Sequence, residues 1–290
     1  MWPAYVPLMI VLVPRSIHGA PPFGLSRAVA VMVAVGCLAR PALASAQVDY
    51  RNLDDDRPTR VEDAYPIERH AFEWILPWHF EAHSGSGWTQ AVVPELSYGI
   101  FSNAQLGAKL AAAWQDLGDR SKHGLSGVRV FGLYNFNTES RSLPALSLRL
   151  DATLPVGALA ASRAQVAIKG IATRSWGRNR LHLNAAYTLN RVQRAAVAEG
   201  LPRWWAGAAL DHTLFRQSIL LVAEAFVTKP ESGVKSELAA SLGFRYQLTT
   251  TTVLDLGVSQ GLQRGRGPQP GITVGLSKAF AIRGLMGGGR

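Results

Sequence analysis

From residue 71 to residue 280 apolar and polar positions alternate with a period of two. In the first segment Phe72, Trp74, Leu76, Trp78 and Phe80 fall on one face, while Glu73, His79 and Glu81 fall on the other. Successive side chains of a strand point to opposite faces, so a strand lying between two different solvents must read this way. A helical period of 3.6 would scatter those aromatics around a cylinder. About twelve such segments follow one another, separated by short turn-rich stretches such as 83–87, 118–121 and 265–268. In these segments the following charged or titratable residues sit on the less apolar face. These are Glu95, Lys109, Arg129, Arg149, Asp151, Lys169, His182, Asp211, Glu224, Glu237, Arg245 and Asp255, beside the three named above.

A water-soluble sandwich, or a lipocalin-like barrel, would alternate as well, with its apolar face turned inward. Three further features favour a transmembrane β-barrel. The segments are about 9–12 residues long, enough to cross hydrocarbon when tilted. Aromatics recur near segment ends (Trp88, Trp114, Tyr134, Phe136, Tyr187, Trp204, Phe244, Tyr246), where interface girdles belong. The chain also begins with an export signal. Arg27 precedes the apolar run 28–39, and the small-residue site Ala44-Ser45-Ala46 follows, which predicts a signal peptide over residues 1–46 cleaved after Ala46. The earlier apolar stretch 1–13, broken by Pro14 and Arg15, points to a start assigned too far upstream. Ala34-Val35-Gly36-Cys37 weakly resembles a lipoprotein site, against the blander reading of a small apolar residue inside the signal. Lipid offers no partner to a backbone N–H or C=O, so a membrane sheet must close, and an even strand count leaves both termini on the periplasmic side. The predicted fold is therefore all-β, an antiparallel barrel of about 12 strands over 70–280, in the outer membrane of a Gram-negative bacterium.

Composition removes other classes. The chain has 290 residues, 48% apolar and 17% charged, too apolar for intrinsic disorder. No run reaches the roughly 18 apolar residues of a membrane helix. One cysteine excludes a disulfide scaffold and a Cys-based zinc cluster. A net charge of +10 raises nucleic acid as a partner, but the basic residues form no block, and Arg15, Arg27 and Arg40 fall in the export signal. No nucleic-acid partner is expected. The partners implied are outer-membrane lipid, the barrel assembly machinery and a small solute. Residues 275–280, ending in Phe280, resemble the C-terminal assembly signal of outer-membrane barrels, although Lys278 takes a usually apolar place and a tail, 281–290, follows.

Several stretches resemble the MetA-pathway of phenol degradation family of outer-membrane proteins. They are Pro58-Thr59-Arg60-Val61-Glu62-Asp63, Pro94-Glu95-Leu96-Ser97-Tyr98-Gly99-Ile100, Pro144-Ala145-Leu146-Ser147 running on to Leu154-Pro155-Val156-Gly157, and Val253-Leu254-Asp255-Leu256-Gly257-Val258. The resemblance covers about residues 58–280. It implies an outer-membrane transporter or channel, in some members tied to aromatic degradation, and it carries no site residues.

Charges of both signs on an inner wall suit a hydrated lumen, since on the lipid side each would cost about 2–4 kcal/mol at the midplane. The fifteen charged or titratable positions above are the lumen-lining candidates. Two readings of them stay open: a passive path for a small, aromatic or hydrophobic solute, or an ion-pair network that fills the lumen of a structural or interaction barrel. Roughly twelve strands enclose less space than an open porin. The polar segment 47–69, with its acidic run Asp54-Asp55-Asp56, reads as a solvated periplasmic tail, with a plug as the alternative. A barrel hydrolase is the remote third class. It would need a Ser activated by His near the lipid boundary, yet His79 and His182 point inward and His212 sits by a turn. No catalytic group, cofactor or metal is implied.

Overall fold

The computed structural model describes residues 43–44, 48–83, 87–190, 201–214, 218–231, 235–263 and 270–282. The export signal therefore lies outside the described residues, apart from the two-residue strand β1 (Leu43–Ala44). Thirteen further strands follow: β2 (Ala71–Ala82), β3 (Trp88–Val92), β4 (Glu95–Phe101), β5 (Ala104–Asp116), β6 (Ser121–Asn137), β7 (Ala145–Leu154) and β8 (Gln165–Trp176). The second half comprises β9 (Asn179–Thr188), β10 (Trp204–Thr213), β11 (Ile219–Lys229), β12 (Glu237–Thr249), β13 (Thr252–Gly261) and β14 (Gly271–Ile282).

Each strand pairs antiparallel with its sequence neighbour, and β14 returns to pair with β2 from Gly271↔Glu81 to Ala281↔Ala71. β3 and β4 are two halves of one wall strand, parted where Pro94 can donate no ladder hydrogen bond; both lie between β2 and β5. β1 merely extends the edge of β14 at Ala281–Ile282. Among the described residues the result is a closed barrel of 12 wall strands with no helix. Because twelve is even, the wall begins (Ala71) and ends (Ile282) at the same end. The last strand continues two residues past Phe280, and 283–290 lie outside the described residues.

Burial follows the two-residue period, and its direction settles the architecture. Leu96, Leu106, Val130, Leu150, Leu183, Leu210, Leu242, Leu256 and Ile272 are exposed on the outside, Leu242 by 63%. Charged partners on the same strands, such as Lys109, Arg149 and Asp255, are buried inside. Water-soluble proteins turn the pattern the other way, so this waist is built for acyl chains. Outward aromatics pair towards both ends: Phe72 stacks on Phe280 at 5.4 Å and Tyr134 meets Phe136 edge-on at the terminal end, while Trp78, Phe80 and Trp88 stack in a row at the other.

Candidate functional site

The interior is occupied by the chain's own residues 48–69. Having no regular secondary structure, the segment must satisfy its backbone elsewhere, and the inner wall does so. The Val61 N–H donates to Glu224 at 2.5 Å, Ala64 N–H to Thr173 Oγ1 at 3.0 Å and Ile67 N–H to Gln105 Oε1 at 2.7 Å. Asn184 both accepts from the Glu62 N–H and donates to the Glu62 carbonyl. Apolar residues of the segment fill small hollows: Leu53 and Val61 pack on Trp205, Ala209, Leu220 and Val222, and Ala64 packs on Leu133, Ala145 and Ile171. The wall is cut to fit. A Cβ at Gly257 would lie 2.2 Å from the Pro58 carbonyl oxygen, and one at Gly99 would lie 2.0 Å from that of Glu68. Only glycine permits so close a backbone approach at those two positions.

The acidic run, expected to be solvated, is instead the centre of the site. Asp54 to Arg57 form a tight turn, with the Arg57 N–H donating to the Asp54 carbonyl at 3.1 Å and Asp56 in the left-handed region (φ 67°) that aspartate tolerates. The turn sends Asp55 and Arg57 to opposite sides of the bore. Asp55 accepts from Lys169 Nζ at 2.6 Å, Lys109 Nζ at 3.1 Å and Arg149 Nη2 at 3.3 Å, with Arg129 at 3.6 Å. These four cations come from four adjacent strands, β5 to β8. Glu62 reinforces the grip, 2.7 Å from Arg149 and 2.9 Å from Lys169. Arg57 donates to Asp255 on β13 at 2.6 Å, pairs with Asp54 and lies 3.7 Å from Glu73 on β2. Arg245 on β12 closes this second cluster, 2.7 Å from Asp255 and 3.2 Å from Asp54.

Burial alone would push the Asp55 carboxyl up, but Lys109, Lys169, Arg149 and Arg129 outweigh it and hold it well below 3.8. Asp63 goes the other way. Buried beside the Arg180 guanidinium at 3.1 Å, it is raised to about 7 because desolvation outweighs that cation.

The structure thus brings together most of the positions predicted to line the lumen. Lys109, Arg129, Arg149, Lys169, Glu95 and Asp151 form one belt, Glu95 holding Lys109 at 3.1 Å and Asp151 holding Arg149 at 3.0 Å. Glu73, Arg245 and Asp255 form the facing cluster, and Glu224 caps Val61. His182 and Asp211 stand apart in a hydrogen-bonded line: Thr173 Oγ1 to His182 Nδ1 at 3.0 Å, and His182 Nε2 to Asp211 at 2.9 Å. That line has the order of a hydrolase relay, but the Thr173 hydroxyl is fully buried and already accepts the Ala64 N–H. Its task here is to position the segment. His79 bonds Thr273 at 3.2 Å, and Glu81 and Glu237 are half-buried towards the end away from the termini. Among the described residues no group of three or more His, Cys, Asp and Glu is arranged to hold a metal ion.

Sequence reasoning overlooked Arg180, which bonds Asp63 and Asp211; its parity with His182 and Asn184 was the available signal. It also overlooked the inward Phe131 and Phe226, though it had placed Trp205 on the face of Asp211. The Arg149 guanidinium sits 3.8 Å from the Phe131 ring centre, and Arg60 lies over both Trp205 (5.5 Å) and Phe226 (5.0 Å). On the terminal side of the segment a cavity of about 680 Å³ remains, lined in part by Arg51, Asp63, Tyr65, Glu73 and Arg180.

No protein-family model matches the chain, and no curated protein matches it. Among solved structures, an outer membrane channel from Pseudomonas putida F1 is similar with a TM-score of 0.56 at 12% identity, over 75% of this chain and 98% of that one. The KdgM porin gives 0.49 at 12% identity over 70% and 98%, and the NanC porin 0.46 at 8% over 73% and 100%. At such identity the first similarity supports a shared barrel fold, and the other two add nothing to it.

Proposed function

We propose that the protein is an outer-membrane channel that passes a small solute passively, and that residues 48–69 are its plug, docked in the conformation described. The observation that carries this is the clamp on Asp55: a polar segment held across a closed, lipid-facing barrel by ion pairs to strands on both sides. A hydrated lumen can accept such a segment and also release it, because every charge involved is at home in water. Selectivity would come from the charged belt and the bore rather than from coupled energy. The resemblance to the MetA-pathway family supports the same reading and adds an aromatic or hydrophobic solute as its finer form. Outer-membrane localisation rests on the apolar waist and the export signal, with the assembly machinery as partner during biogenesis. We read the chain as non-enzymatic.

Purified protein in planar bilayers should show discrete conductance steps, brief in the full chain and prolonged when the clamp is weakened. A correctly folded barrel silent in both forms would overturn the reading. One observation favours a second reading, a structural barrel: Arg57, Arg149 and Arg245 are at most 1% exposed, as in a permanently filled core. In that case removing the clamp lowers stability and opens nothing.

A further inference from the structure

The wall charges gripping the plug are segregated. On β5 to β8, at the level of the turn, stand Lys109, Arg129, Arg149 and Lys169, offset by Asp151 on β7 and Glu95 on the adjoining β4, which leaves the arc from β4 to β8 two positive charges in excess there. Counting round the ring of twelve, β12 and β13 lie diametrically opposite β6 and β7. At the level of the turn, the arc centred there, from β11 to β2, carries Glu224, Asp255 and Glu73, offset by Arg245; Glu81 and Glu237 stand on the same arc towards the end away from the termini. At the turn it is two negative charges in excess. The plug answers each arc in kind: the carboxylates of Asp55 and Glu62 go to the basic side, and the Arg57 guanidinium, with its turn partner Asp54, goes to the acidic side. One short turn spans the gap, since Asp55 and Arg57 are two residues apart and their Cα atoms at most about 7 Å.

We propose that this belt is a charge-segregated constriction whose preferred solute is a small zwitterion, a reading that rests on the channel function proposed above. The plug is its tethered analogue. When the plug leaves, the solute's carboxylate takes the place of the Asp55 carboxylate against Lys109, Arg149 and Lys169. Its cationic group takes the place of Arg57 against Asp255 and Glu73. A dianion meets the basic arc but is repelled opposite, and a dication meets the reverse. A neutral solute of the same size gains nothing from either arc.

The test is proteoliposome swelling with four solutes of similar length and size: 6-aminohexanoate, adipate, 1,6-diaminohexane and xylitol. The protein is the full chain carrying Asp55→Asn with Glu62→Gln; a full-chain Gly257→Ala variant, which loosens the plug without touching a charge, serves if the first fails to insert. Bilayer conductance of the same preparation is recorded first. Silence in both inserted variants overturns the channel and this inference together. Given conductance, the zwitterion should enter about fivefold faster than xylitol and faster than either ion. Adding Lys169→Glu should abolish that advantage, so that 6-aminohexanoate enters no faster than xylitol through the same variant. Equal entry of 6-aminohexanoate and xylitol, or fastest entry of adipate, overturns this inference alone and leaves the channel standing.

Discussion

Replacing Asp55 by Asn tests the clamp directly. The side chain keeps its shape but loses the charge that Lys109, Lys169, Arg149 and Arg129 share, all within 3.6 Å of it. Leaving one side of a buried ion pair without its partner typically costs about 3–5 kcal/mol. Three direct charge-assisted hydrogen bonds at about 1.5–3 kcal/mol each set a ceiling above that, and relaxation onto Glu62, Glu95 and Asp151 brings it back down. Docking should therefore weaken by about 3–5 kcal/mol. A plug that leaves the channel open about 1% of the time would then leave it open more than half the time.

Two independent readouts follow from one cause. In planar bilayers the open fraction of D55N should rise from brief events to a dominant conducting level. In intact barrels trypsin should cut at Arg51 or Arg60, both of which are shielded while the plug is docked. Asp56→Asn is the control, because Asp56 is half-exposed and its one ion pair, to Arg60 at 3.8 Å, is loose; its effect should stay below about 0.5 kcal/mol. Asp55 itself stays ionised far into acid, so its contribution is present above the ordinary carboxylate pKa and is lost only as pH falls well below 3.8. If D55N matches the wild type in both gating and proteolysis, the clamp does not hold the plug.

Gly257→Ala should loosen the plug without changing any charge, since the new Cβ meets the Pro58 carbonyl at 2.2 Å and backbone must shift; a loss of about 1–3 kcal/mol is expected, read as faster tryptic cleavage at Arg60. Asp63, which faces Arg180 with Asp49 and Asp54 nearby, gives a pH dependence of the opposite sign to Asp55. Its pKa is about 7 docked and 3.8 free, so the docked form holds the extra proton, and docking weakens as pH rises from about 4 to 7. The open fraction should grow between pH 5 and pH 8 in the wild type, and D63N should flatten that rise. Leu242→Arg, at an outward position 63% exposed, should destabilise the barrel by about 2–4 kcal/mol in lipid unfolding titrations; a change below about 0.5 kcal/mol would mean that this waist faces water.

The barrel wall was legible because two solvents impose one period. On β7, Leu146, Leu148 and Leu150 could face only acyl chains once Ser147, Arg149 and Asp151 were assigned to the other side. A plug could be raised from the length and charge of residues 47–69, but the contacts that hold residues 48–69 inside the barrel were not legible, and the reason is equally physical. Asp55 and Lys169 are 114 residues apart, and Arg57 and Asp255 are 198 apart. The plug has no regular backbone, so it leaves no periodicity to read, and a Pro-containing acidic stretch looks the same whether water or a ring of lysines solvates it. Two inward aromatics escaped for a related reason. Assigning apolar residues to the lipid side hides Phe131 and Phe226, although each shares its parity with a charged neighbour, Arg129 and Glu224 respectively, whereas Trp205 was legible as inward from its parity with Asp211.

The chemistry of the plug bears on whether it can leave. An apolar plug would dock through burial and, once out, would present the periplasm with a greasy strand prone to pairing with any free edge. This plug docks mainly through charges and backbone N–H groups that water satisfies nearly as well, so its docked and released forms differ by a small remainder of large opposed terms. Replacing a buried ion cluster by well-packed apolar residues is often neutral or stabilising, so permanence alone would not require so many charges here. Their retention around Asp55 and Arg57 makes sense if the segment exchanges between the wall and water. A reversible plug built on such pairs is also the form that a charged solute, competing for the same wall, can displace.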